Sequence, residues 1–135
     1  MHYAIADKAG PVAIYSTGQW RSNSIATRSG EGSVTVPGMP LDELIEREKI
    51  RRVDFLKMNI EGAEAKAPEG MQRSFGIIRA LCISCHDFRA NQGDGEQFRT
   101  KALVQAAVKA AGFRTISRDK DPLPYVADQV NAVRD

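Results

Sequence analysis

Apolar residues in this chain fall into short runs, separated by polar stretches punctuated with glycine and proline. The first run, residues 2–7, closes at Asp7-Lys8-Ala9-Gly10-Pro11, a turn signal. Val12 to Tyr15 predicts a strand from its β-branched and aromatic content. Residues 16–32 are rich in Ser, Thr, Gly and Asn. They predict a long polar loop anchored by Trp20, of a length that usually carries function. Ser33 to Pro37 alternates as a strand does. Pro40 opens a helix with Leu41, Leu44 and Ile45 on one face and Asp42 and Glu43 where the helix dipole favours acids. Glu46 to Lys49 continue it as a solvated surface.

Val53 to Ile60 predicts a strand that ends at Glu61-Gly62-Ala63-Glu64. A short helix follows, interrupted at Pro68 and Gly70 and resumed over Met71 to Phe75. Leu81 to Cys85 predicts another apolar strand, ending in His86-Asp87-Phe88, and residues 89–96 carry loop chemistry in Asn91, Gly93, Asp94 and Gly95. The clearest helix is 97–111, where Leu103, Val104, Ala107, Val108 and Ala111 recur at helical spacing before Gly112. Phe113 to Arg118 predicts a strand, residues 121–124 a turn, and Tyr125 to Val133 a final strand. Strands alternating with helices predict an α/β domain with a largely parallel sheet. The short last turn predicts an antiparallel C-terminal hairpin.

The length of 135 residues fits one domain, 1–135. Lys+Arg minus Asp+Glu is 19 − 17, or +2, too balanced for a dedicated nucleic-acid or anionic-membrane binder. No apolar run is long enough to span a bilayer, and residues 1–7 lack the regions of a signal peptide. With only two cysteines a disulfide scaffold is excluded. The expectation is a cytoplasmic protein with reduced thiols, no nucleic-acid partner and no membrane partner.

Cys82-Ile83-Ser84-Cys85-His86 matches the spacing of covalent haem attachment. Strand alternation, however, points Cys82 and Cys85 to opposite faces, so buried structural cysteines are the favoured reading. His86 and Asp87 sit at the carboxyl end of one expected strand, and Asn59, Glu61 and Glu64 at the end of another. Ligand crevices of open α/β sheets lie outside that edge, so the five residues converge if the strands are neighbours. Helix capping by the two glutamates is the bland alternative. Gly30-Glu31-Gly32 and Gly93-Asp94-Gly95 fit turns; neither extends to a dinucleotide fingerprint or a P-loop. No Ser-His-Asp order is legible, since Ser84 lacks the surrounding nucleophile elbow.

Phe55-Leu56-Lys57-Met58-Asn59-Ile60-Glu61-Gly62-Ala63-Glu64 resembles the central motif of FkbM-type methyltransferases, an apolar strand with Lys followed by Asp-x-Glu-Gly-x-Glu. Ala4 to Gly10, Asn23-Ser24, Pro40 to Leu44 and Leu81 to Phe88 resemble further segments of that family in the same order. The resemblance implies a partial Rossmann-like class I methyltransferase sheet and S-adenosylmethionine as methyl donor. It implies Ile5, Ala6 and Asp7 near the adenine, with Asn59 beneath the transfer centre. It also implies a small-molecule acceptor, a hydroxyl on a sugar or secondary metabolite. His86 is the first choice for general base because its ordinary pKa is near working pH, with Asp87, Glu61 and Glu64 as supports or alternatives. A divalent metal among Glu61, His86 and Asp87 is left open.

Two departures stand out. Asn59 occupies the position where most members carry Asp. The family's glycine-rich cofactor loop and ribose-binding acid have no counterpart, so the sequence resembles the C-terminal half of the domain. About two βαβ units, roughly 60 residues, have no match. The isolated chain is therefore expected to be N-terminally truncated and to bind S-adenosylhomocysteine weakly or not at all. Three readings follow: a methyltransferase half that needs an N-terminal partner, a non-catalytic remnant that self-associates, and a c-type haem protein using Cys82, Cys85 and His86.

Overall fold

The computed structural model describes residues 3–16 and 32–134. Trp20, the Asn23-Ser24 element and most of the expected polar loop lie outside the described residues. Strands β1 (Ala4–Ile5), β2 (Gly10–Ser16) and β3 (Gly32–Met39) form a sheet of order β1-β3-β2. Pro11 and Pro37 face each other within its antiparallel β2–β3 ladder. Proline is tolerated at both places because β2 is an edge strand and β1 reaches only Gly38 and Met39 of β3. The strands thus run further than their apolar cores, because ladder pairing extends through Gly10-Pro11 where the sequence signalled only a turn.

Helix α1 (Leu41–Arg47) begins after Pro40 as expected and leads to β4 (Val53–Met58). Residues 63–77 form three short 3-10 turns instead of a helix, over Ala63–Ala65, Ala67–Met71 and Ser74–Ile77. Pro68 and Gly70 break helical continuity there. Gly70 has a further reason: a Cβ would stand 2.6 Å from the Ala6 carbonyl oxygen. Its absence lets the first sheet's entry segment press against these turns. Asp42 secures the same region, accepting the Ser74 N–H at 2.7 Å and the Arg73 N–H at 3.1 Å.

The second sheet contains β4, β5 (Ile78–Ser84), β6 (Arg114–Ile116) and β7 (Gln129–Val133), in the order β4-β5-β7-β6. β4 and β5 are parallel, while β7 runs antiparallel to both β5 and β6. The expected hairpin of the last two strands is present. The largely parallel sheet is not: the described residues form two sheets, each mixed. β7 returns antiparallel beside β6 after a link over residues 117–128. The end of that link is the one-turn helix α4 (Pro124–Ala127), where a strand was expected from Tyr125.

Between β5 and β6 the chain forms α2 (Asp87–Asn91), a 3-10 turn over Glu96–Phe98 and α3 (Lys101–Ala110). α3 starts later than its apolar pattern suggested, because Gly95 (φ +124°) redirects the chain before it. Val104 and Val108 of α3 pack with Leu81, Ile83, Val130 and Ala132 of the sheet and with Met71, Phe75 and Phe113. That single covered face is the core. On the opposite face Phe55 remains 60% exposed, and among the described residues no strand pairs with the outer edge of β4.

Candidate active site

The carboxyl ends of β4 and β5 lie side by side because the strands are parallel and in register from Phe55–Ala80 to Met58–Ile83. This brings Asn59, Glu61, Glu64, His86 and Asp87 to one edge of the sheet, the convergence expected from sequence. β4 ends in a sharp loop. Glu61 (φ +53°) and Gly62 (φ +100°) are both left-handed, a conformation that costs a non-glycine residue about 1 kcal/mol or more. Glu64 secures it. Its carboxylate is fully buried and accepts the Ile60 N–H at 2.9 Å and the Gly62 N–H at 2.8 Å. Successive main-chain N–H groups in such a turn form an anion-binding nest, and here the chain fills its own nest.

His86 stands between the two glutamates. Its Nε2 lies 3.4 Å from Glu61 Oε1, and its Nδ1 lies 3.2 Å from Glu64 Oε1; both are within ion-pair distance, and Nδ1 makes no aligned hydrogen bond. Burial works to lower the His86 pKa, yet the flanking carboxylates of Glu61 and Glu64 outweigh it and raise it to about 9. His86 is thus an imidazolium at neutral pH, with no lone pair free to take a proton. This differs from the expectation of an ordinary imidazole. Glu61 is held below the usual carboxylate range, first by His86, against the effect of burial, and then by Arg89. Arg89 donates to Glu61 Oε2 at 3.2 Å and to Asp94 Oδ2 at 2.8 Å, and its guanidinium lies 4.0 Å from the centre of the Phe98 ring.

Asp87 is employed elsewhere. Its Oδ1 accepts the Thr100 and Lys101 N–H groups at 2.8 and 2.9 Å, satisfying two donors at the start of α3. The Glu61–His86–Asp87 set proposed for a metal is therefore not assembled, and among the described residues no group of three or more His, Cys, Asp or Glu is placed to hold a metal ion.

Two cavities border the 59–63 loop. One, of about 660 Å³, is lined by Asn59, Glu61, Ser84, His86, Arg89 and Tyr125 among others. The other, of about 390 Å³, is lined by Ala6, Asp7, Tyr15, Gly62, Ala63 and Lys66 among others. Of the three residues expected near the adenine, Ala6 and Asp7 line this cavity, while Ile5 lies in β1 and does not. Sequence reading missed Arg89 and Tyr125. Arg89 follows His86 by one helical turn, a spacing visible only once residues 87–91 are known to be helical.

The cysteine pair has a structural role. Cys82 and Cys85 are both free and buried, and Cys85 packs in the core while Cys82 does not. Burial pushes the Cys85 thiol up to about 12, making it inert. Two buried thiols on different sides of the sheet cannot both reach one macrocycle, so this geometry does not support the haem alternative.

The model of the methyltransferase FkbM domain matches residues 2–115. The chain belongs to that family. It is also similar to the hexuronic acid methyltransferase AglP of Haloferax volcanii, with 22% identity over 121 residues. That alignment covers 90% of this chain and 48% of AglP, so the chain spans about half the length of that curated relative. None of the solved structures gives a significant match. Within the family match lie both ends of the site, the 59–64 loop and His86. No helix among the described residues is long and apolar enough to cross a membrane.

Proposed function

We propose that the chain is the acceptor-side part of an S-adenosylmethionine-dependent O-methyltransferase, its second sheet laid out on the Rossmann-like class I plan. The 59–63 loop carries this reading, because one strained segment borders both cavities and so can hold two ligands against each other. The smaller cavity suits an adenosyl group: Ala6, Ala63 and Tyr15 offer apolar surface, and the Asp7 carboxylate can accept from an exocyclic amine. When bound, S-adenosylmethionine supplies an electrophilic methyl group. Asn59, exposed at the end of β4, orients the acceptor hydroxyl. Glu61 would take the hydroxyl proton, with His86 and Arg89 holding its carboxylate in place; the bond broken would be sulfur–methyl, and the leaving group S-adenosylhomocysteine. Glu64 and Asp87 brace the loop and α3.

The acceptor is a hydroxyl on a sugar or secondary metabolite; the sugar substrate named for AglP favours the former. No glycine-rich loop is present in the 135 residues to receive the methionine end of the cofactor. We assign that contact to polypeptide pairing along the outer edge of β4, which no strand among the described residues occupies. A cytoplasmic setting, where both thiols stay reduced, goes with this reading.

The test is transfer of a labelled methyl group from S-adenosylmethionine to a panel of sugars between pH 6 and 10. Glu61→Gln should lower the rate by about 10²-fold, with a flat wild-type profile from pH 6 to 8. A rate that climbs through about pH 9 would return the base role to His86. Transfer to no acceptor, or full activity in Glu61→Gln, would refute the proposal.

A further inference from the structure

The larger cavity carries information about what enters it. Tyr125, on α4, lines one wall and is 54% exposed, an aromatic face left bare on a short helix. Around it stand Asn59, Gln129, Glu61 and Arg89, planar side chains that together offer donors and acceptors. A flat apolar face ringed by planar hydrogen-bonding groups matches a sugar ring, which has an apolar face and a rim of hydroxyls.

The charges add a second feature. His86 and Arg89 are cations in the wall, but each is matched internally, by Glu61 and Glu64 and by Glu61 and Asp94. Lys57 is not. Its Nζ donates to the Ser84 hydroxyl, which lines the same cavity, and to the Met58 carbonyl oxygen at 3.2 Å. Both of these partners are uncharged oxygens. An ammonium has three donors, so Lys57, an exposed side chain next to the cavity-lining Ser84 rather than itself in the lining, keeps one N–H for a ligand that reaches Ser84. Ser84 is in register with Gln129 on β7, which continues this polar row across the sheet end.

We propose that this cavity is an acidic-sugar subsite, in which Tyr125 covers the ring's apolar face and Lys57, steadied by Ser84, meets an anionic group. The subsite deepens the acceptor assignment above and rests on it. The shared ligand chemistry is an anion on a sugar, either a carboxylate or a phosphate.

Chemical-shift titrations of the labelled chain with glucuronate, glucose 6-phosphate and glucose test it, in wild type, Lys57→Gln and Tyr125→Ala. Both variants change exposed side chains, so folding is retained. One or both acidic sugars should bind at least about fivefold tighter than glucose, the scale of one partly exposed ion pair. Lys57→Gln should erase that preference, and Tyr125→Ala should weaken all three sugars. Preference for glucuronate assigns the carboxylate, and preference for glucose 6-phosphate the phosphate. Equal affinities, binding of none, or a preference that survives Lys57→Gln would overturn the proposal. So would a Lys57→Gln effect confined to S-adenosylhomocysteine and absent with methylthioadenosine, which lacks the amino-acid carboxylate. Failure here with intact S-adenosylhomocysteine binding removes the subsite and leaves the methyltransferase reading standing; loss of methyl transfer with intact sugar selectivity does the reverse.

Discussion

In the first sheet, β2 and β3 pair over seven positions from Gly10–Gly38 to Ser16–Gly32, yet Val34 is 67% exposed and Val12, Ala13, Ile14 and Val36 are only half-covered. At the carboxyl end of the second sheet the opposite holds. Few residues are involved, but Glu64, His86 and Phe98 are buried, and each polar group there is placed by another. The ribbon rests on backbone hydrogen bonds that water can also satisfy, each worth about 1 kcal/mol net. The site rests on buried charge, where a missing partner leaves the full cost of desolvation. The ribbon should therefore tolerate change, and the site should not.

The largest effect should come from removing the imidazolium. His86→Ala leaves the Glu64 carboxylate buried without its cationic neighbour and should cost about 3–5 kcal/mol in urea unfolding. A loss below about 1 kcal/mol would mean that the two backbone N–H donors alone hold Glu64. The next effect is in pH. The His86 pKa is higher folded than unfolded, so the folded state binds the extra proton between about pH 6.5 and 9. Its contribution is complete below pH 6.5 and is lost as pH rises through 9. Stability should fall by about 1–3 kcal/mol over that window, and the fall should vanish in His86→Gln.

Smaller again is Asp87→Ala, which frees two N–H groups at the start of α3 and should cost about 1–2 kcal/mol, read as a lower Tm. Val34→Ala in the ribbon should stay within about 0.5 kcal/mol. Hydrogen exchange sharpens the contrast: ribbon amides should exchange well before those of β5. Equal protection would show that the ribbon is covered in solution by something beyond the described residues.

How much of this was legible in the residues differs by element. The strands β4 and β5 and the helix α3 announced themselves, because one covered face imposes a regular apolar pattern. The segment 63–77 did not, since its 3-10 turns follow contacts with Ala6 and Asp42 that lie far away in sequence. The β4 and β5 ends were recognised as carrying the candidate chemistry. The division of labour within that set was not: Asp87 and Glu64 look as reactive as Glu61 in a sequence, and only their backbone partners separate them. Arg89 was hidden because an Asp-Phe-Arg-Ala-Asn stretch has no periodicity to betray a single helical turn.

The sequence by itself determined the family, through the motif from Phe55 to Glu64, and the side-chain chemistry available at the strand ends. It also determined a thiol-poor chain with a net charge of only +2, because composition does not depend on folding. Only the tertiary structure decided the charge on His86, which depends on two carboxylates brought within 3.4 Å from another strand end. It alone decided that the described strands divide into two sheets and that β7 lies between β5 and β6, since strand order is set by the packing of connections. And it alone placed Lys57 beside Ser84, 27 residues apart in the chain, because parallel register makes neighbours of residues that local pattern cannot relate.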